Sequence, residues 1–145
     1  MIGKTIYELR QGDKAECSKT ISETDIYLYA GITGDFNPAH VNQLYAEKTF
    51  FKSRIAHGLL SAGLISAVAA NKLPGPGTIY LKQEINFIAP VYINDTITAS
   101  VEVLEVNVSE NRVLLKTVCK NQKNDLVIEG HALVSPPKTV ASERG

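Results

Sequence analysis

Asp35, Asn37 and His40 share one short stretch, Thr33-Gly34-Asp35-Phe36-Asn37-Pro38-Ala39-His40, and Arg54-Ile55-Ala56-His57-Gly58 follows soon after. A carboxylate and an imidazole on one proline-stiffened loop can hold a single water between them. One group removes its proton while the other returns a proton to a substrate. Asn37 can brace such a loop by bonding its own backbone, and Pro38 fixes the dihedral between the two working residues. Gly58 stands at the head of a long apolar run. At the start of a helix an amide N–H is unpaired, the dipole is positive, and a missing side chain lets a carbonyl oxygen come close. That is the chemistry of an oxyanion hole for a thioester, ester or amide.

Spacing alone leaves other readings open. Asp-x-Asn-Pro is also an ordinary Asx-turn with a solvated His40, and His57 also reads as a residue that helps to cap the apolar helix. Asp35, His40 and His57 have the composition of a two-His, one-carboxylate site for Fe or Zn, which elemental analysis separates from metal-free proton transfer. Ser61 and Ser66 interrupt the apolar run, and the ordinary role of each is to bond a carbonyl one turn back. His131 reads as a surface or edge histidine in a strand. Cys17 and Cys119 have no basic neighbour to activate them and read as inert. Lys48, Lys52 and Arg54 make a modest basic patch, ordinarily a solvated face, that a nucleotide phosphate could use.

The elements that must position these residues follow from hydrophobic periodicity, which gives a helical first half and a strand-rich second half. A weak alternation over 14–21, after Gly12-Asp13, predicts a first strand. Ser22-Glu23-Thr24-Asp25 is a capping box; the helix it opens carries Ile26, Tyr29 and Ala30 on one face and ends near Gly31 or Gly34. The Asp35 loop follows, then a short helix over 42–48. The run 58–71 is apolar on every side, so it predicts a helix wrapped by other elements and stopped by Pro74-Gly75-Pro76-Gly77. Four alternating segments come next. The first, 78–89, places Ile79, Leu81, Ile85 and Phe87 on one face. The second, 96–106, places Ile97, Ala99, Val101 and Val103 on one face. Segments 113–120 and 126–134 repeat the pattern. Short polar breaks at Asn94-Asp95, 107–111 and 121–125 suit hairpins and a mainly antiparallel sheet. The expected class is α+β, a long antiparallel sheet curled around one buried helix. Residues 1–134 are expected to form one domain, and the proline-broken polar stretch 135–145 to be disordered.

Composition narrows the function. The chain has 145 residues, with 15 Lys+Arg against 15 Asp+Glu, so its formal charge is zero. Phosphate backbones need a basic excess, which removes the electrostatic case for a nucleic-acid partner. Two cysteines are too few for a disulfide framework and lie too far apart for a CxxC site, which fits a reducing compartment. Residues 1–10 carry no apolar core of a signal peptide, and the longest apolar stretch is too short to cross a bilayer. The expectation is a cytoplasmic protein with no membrane partner. No glycine-rich phosphate loop follows a strand, so no nucleotide or redox cofactor is expected.

Taken in order, these residues resemble the MaoC-like dehydratases, in particular the (R)-specific enoyl-CoA hydratases of hot-dog fold. The resemblance runs from about Gly3 to Val134. It is carried by Gly34-Asp35-Phe36-Asn37-Pro38-Ala39-His40, Ile55-Ala56-His57-Gly58, Leu73-Pro74-Gly75-Pro76-Gly77-Thr78-Ile79-Tyr80-Leu81, Phe87-Ile88-Ala89-Pro90-Val91 and Asn94-Asp95. It implies reversible syn addition of water to a trans-2-enoyl-CoA, giving an (R)-3-hydroxyacyl-CoA. Asp35 and His40 would share the water, and the Gly58 amide would polarise the thioester carbonyl. Asn37 and His57 would support the site, Ser66 rather than Ser61 would shape the pocket, and no metal or cofactor would be needed. It also implies a homodimer joined through its sheets. Ala39 and Asn42-Gln43 depart from the family pattern beside the pair, not in it. The rival readings are a 3-hydroxyacyl-thioester dehydratase acting on acyl carrier protein, a hot-dog thioesterase, and a non-catalytic acyl-thioester-binding module.

Overall fold

In the computed structural model, which describes residues 1–139, the chain runs β1 (Lys14–Thr20), α1 (Glu23–Thr33), α2 (Pro38–Val41), α3 (Gln43–Ala46), α4 (Gly58–Asn71), β2 (Ile79–Phe87), β3 (Thr96–Asn107), β4 (Arg112–Lys120) and β5 (Leu126–Ser135). The strands form one antiparallel sheet in the order β1-β3-β4-β5-β2. It curls around α4, whose Ile65, Val68 and Ala69 are buried together with Ile97, Ala99, Val101 and Val103 of β3 and Val113 and Leu115 of β4. Each of the buried Val, Leu and Ile side chains contributes about 1.5–3 kcal/mol by leaving water. This is the hot-dog arrangement that the resemblance implies.

The capping box forms: Ser22 Oγ accepts from the Asp25 amide at 3.1 Å and Asp25 Oδ2 from the Ser22 amide at 2.9 Å. Lys19 lies 2.8 Å from the same carboxylate, and its bond, with that of the Ser22 amide, holds Asp25 below the usual carboxylate range. Helix α1 ends at Gly34, whose φ of +81° is the left-handed conformation that glycine adopts without strain. The chain then turns directly toward the Asp35 loop.

Four sequence expectations are corrected. First, the stretch 33–40 is not all loop: Asn37 caps a helical turn, α2, ahead of the short helix expected over 42–48, which forms as the single turn α3 capped by Asn42. Second, Asn94-Asp95 does not close a hairpin. β2 pairs with β5 and β3 with β1 and β4, so 88–95 crosses from one side of the sheet to the other. Third, β2 carries a bulge between Tyr80 and Lys82. One inserted residue reverses the facing of those before it. Tyr80 and Ile85 therefore pack on the core, while Ile79 and Leu81 are exposed. Fourth, α4 is not enclosed on all sides: Leu59, Gly63, Ser66 and Ala70, one stripe at helical spacing, are exposed.

The expected disorder does not begin at residue 135. Ser135 ends β5, Pro136 and Pro137 are buried, and Asn111 Nδ2 donates to Ser135 Oγ at 3.0 Å and to the Pro136 carbonyl at 2.9 Å. The rest of that expectation, over 140–145, lies outside the described residues.

Candidate active site

Three chain segments meet at the N-terminal end of α4. The first is the Asp35 loop. The turn that its residue types predict is formed twice over: Asp35 Oδ1 accepts from the Asn37 amide at 3.2 Å, and Asn37 Oδ1 from the Ala39 amide at 3.0 Å. The Asx-turn and a chemical role are therefore compatible, because the turn engages one oxygen of an otherwise exposed carboxylate.

The second segment is 54–58. Ala56 N–H donates to the Val91 carbonyl at 2.7 Å and Ile55 bridges Tyr92, so the crossover 88–95 pins this segment in place. It in turn fixes His40. The Ile55 amide donates to the Ala39 carbonyl at 3.2 Å, and His40 Nδ1 lies 2.7 Å from the Ile55 carbonyl. A carbonyl only accepts, so Nδ1 carries the proton and the lone pair of neutral His40 sits on Nε2.

His57 is buried, with Nε2 2.9 Å from the backbone carbonyl of Asp35. By the same argument its proton is on Nε2. Its ring packs between Tyr29, with centroids 4.6 Å apart, and His40, at 3.9 Å. One possible donor atom each from Asp35, His40 and His57 lie within 4.8 Å of one another. The sequence reading thus named the residues that the fold assembles, and this includes the triad that also suits a metal. Two of the imidazole nitrogens in it are already engaged with carbonyls.

The third segment is the start of α4. His57 is its N-cap residue but makes no side-chain capping bond, so a capping role does not account for it. Gly58 is the first helical residue and faces the same cavity. A Cβ there would lie 2.5 Å from the Phe87 ring, so any larger residue would have to displace that ring. The cavity holds about 550 Å³, with His40, Gly58 and Ser61 lining it among mainly apolar neighbours such as Phe51, Phe87 and Ile88.

The two helix serines are placed otherwise than expected. Ser61 is fully buried and lines the cavity, whereas Ser66, five residues further on, is turned to the exposed stripe of α4. Tyr29, which the sequence reading placed only on an apolar face, proves to be the far side of the His57 packing. Its signal was the spacing from Ile26 that turns it toward the core. Arg54 is not a free cation for a phosphate. Its guanidinium meets Glu23 at 2.8 Å, Tyr27 Oη at 2.7 Å and Gln43 Oε1 at 3.0 Å, which ties α1 to α3 around the loop. The Asn42-Gln43 departure is absorbed in the same way, with Asn42 capping α3 and Gln43 bonded to Arg54. Cys17 and Cys119 flank Ala99 on neighbouring strands and form no disulfide.

Comparison with known proteins gives the family and the fold. The family described as "MaoC like domain" matches residues 8–124. The (R)-specific enoyl-CoA hydratase of Rhodospirillum rubrum is 52% identical over 130 residues, covering 90% of each chain. A mitochondrial 3-hydroxyacyl-[acyl-carrier-protein] dehydratase of Arabidopsis thaliana is 32% identical, covering 89% of this chain and 78% of that one. The solved structure of an R-hydratase from Pseudomonas aeruginosa in the unliganded form superposes with a TM-score of 0.89 at 44% identity, covering 94% of this chain and 88% of that one.

Proposed function

We propose, for a chain that belongs to the MaoC-like domain family, that it is a hydro-lyase adding water reversibly to trans-2-enoyl-CoA to give (R)-3-hydroxyacyl-CoA. The observation that carries this reading is the meeting of the Asp35 carboxylate and the His40 ring with the first residue of α4 at one apolar cavity. Asp35 and His40 hold one water. Its oxygen bonds to C3, the C2=C3 π bond is consumed, and a proton from the pair reaches C2 on the same face. His40 exchanges its proton through Nε2, because Nδ1 is committed to Ile55. While the C2 proton is in transit, negative charge gathers on the thioester oxygen, where the Gly58 amide and the positive end of α4 stabilise it. Asn37 keeps the loop shaped, and His57 holds the Asp35 backbone. Dehydration is the same path reversed.

The acyl-CoA is substrate, and the reading includes no resident metal or cofactor. Purified protein with stoichiometric Fe or Zn would contradict that part. CoA is favoured over acyl carrier protein because identity is 52% to the relative named for CoA and 32% to the one named for the carrier. Comparing kcat/KM for crotonyl-CoA and a crotonyl-carrier protein tests this directly. The expected preference is for CoA, and a reversed preference would make the carrier dehydratase the better assignment.

The reading includes a homodimer. β2 is an edge strand of the sheet, and the exposed apolar residues Leu59, Ile79, Leu81, Phe87 and Ile88 sit on it, just past it and on the open side of α4. A second copy joined along β2 would cover both, and would also enclose the stripe that carries Ser66. No helix among the described residues is long and apolar enough to cross a membrane. A cytoplasmic setting remains part of the proposal.

A further inference from the structure

Two buried side-chain polar atoms have no hydrogen-bond partner among the described residues, His57 Nδ1 and Ser61 Oγ. They belong to residues one helical turn apart, both lining the cavity at the head of α4. Native interiors rarely leave such atoms unpaired, and here the two are complementary. His57 gives its proton to the Asp35 carbonyl through Nε2, so Nδ1 is an acceptor in need of a donor. Ser61 has an O–H to give. Its usual outlet, the carbonyl one turn back, is not used.

We infer that Ser61 and His57 form a positioning relay for Asp35, in which the Ser61 hydroxyl donates to His57 Nδ1. The two residues stand one turn apart at the head of α4 and line the same cavity, and the Ser61 hydroxyl is free to turn toward the ring. The bond locks His57 in the tautomer whose Nε2–H grips the Asp35 backbone. It also fixes the ring that packs on His40, so one hydroxyl sets both members of the pair. Neither Ser61 nor His57 exchanges a proton with substrate. The inference deepens the hydratase reading and rests on it for its kinetic part only.

The test combines kinetics with ¹⁵N spectra of histidine-labelled, full-length protein. Ser61→Ala is expected to lower kcat several-fold with KM within about twofold, and to move the His57 Nδ1 resonance toward that of an unbonded nitrogen. His57→Phe keeps a ring but no donor, and is expected to lower kcat by about 10- to 100-fold, the scale of a misplaced reacting group. His57→Gln, whose Nε2 can still reach the Asp35 carbonyl, is expected to restore part of that loss. The relay is overturned if Ser61→Ala leaves both kcat and the Nδ1 resonance unchanged, or if His57→Gln is as impaired as His57→Phe. Should His57→Phe not fold, the spectra of wild type and Ser61→Ala still decide. A wild type that hydrates no enoyl-CoA would remove the hydratase reading, while those spectra would still judge the relay.

Discussion

At the scale of single residues, the site depends on where protons are held. His40 gives Nδ1–H to Ile55, which in the proposed reaction leaves Nε2 for the water, and Asp35 lies on a turn that its own Oδ1 helps to close. General acid–base partners of this kind contribute about 10²–10⁴-fold each. Asp35→Asn should therefore lower kcat by that order while the fold persists, since an amide oxygen still accepts from the Asn37 amide. A melting temperature unchanged beside lost turnover would be the measured signature. The turn was legible in the sequence because glycine, asparagine and proline announce it, whereas the chemical role proposed for Asp35 and His40 rests on the family resemblance. Ser61 was not legible. The resemblance favours Ser66, and the choice depends on which side of α4 meets the cavity. An all-apolar helix gives no period from which to read that side.

At the scale of elements, strands whose inward residues are regular were legible to within a residue, as in β3, where Ile97, Ala99, Val101 and Val103 are all buried. The Tyr80 bulge and the crossover at 88–95 were not, because pairing partners are set by the sheet as a whole and leave no local period. Core packing predicts that Ile65→Ala costs about 2–5 kcal/mol in urea unfolding. Burial also pushes the Cys119 thiol and the Tyr80 phenol each up to about 12. In the unfolded chain these groups ionise near 8.5 and 10. The unfolded state thus binds fewer protons above those values, so stability should fall as pH rises from about 9 toward 12. The urea midpoint at pH 7, 9 and 10.5 checks this, with Cys119→Val expected to flatten the lower part of the decline. A midpoint that stays level across the range would refute it.

At the scale of the whole molecule, a sheet wrapped around one helix leaves an open edge at β2 and an apolar stripe on α4. The sequence reading expected a helix covered on every side, and a single chain supplies only part of that cover. Light scattering after size exclusion should therefore give twice the 15.8 kDa chain mass. Ile79→Asp, on the exposed side of β2, should shift the protein toward monomer and lower its activity together. A stable, fully active monomer would show that the site is complete within one chain.

The measurement that bears most directly on the account is the loss of enone absorbance when purified protein meets crotonyl-CoA. It would be run beside Asp35→Asn and His40→Ala, with a stereospecific dehydrogenase reading the product. Rapid hydration to the (R)-3-hydroxyacyl-CoA is expected, reduced by orders of magnitude in both variants. Hydration to the (S) product, or turnover untouched in either variant, would contradict it.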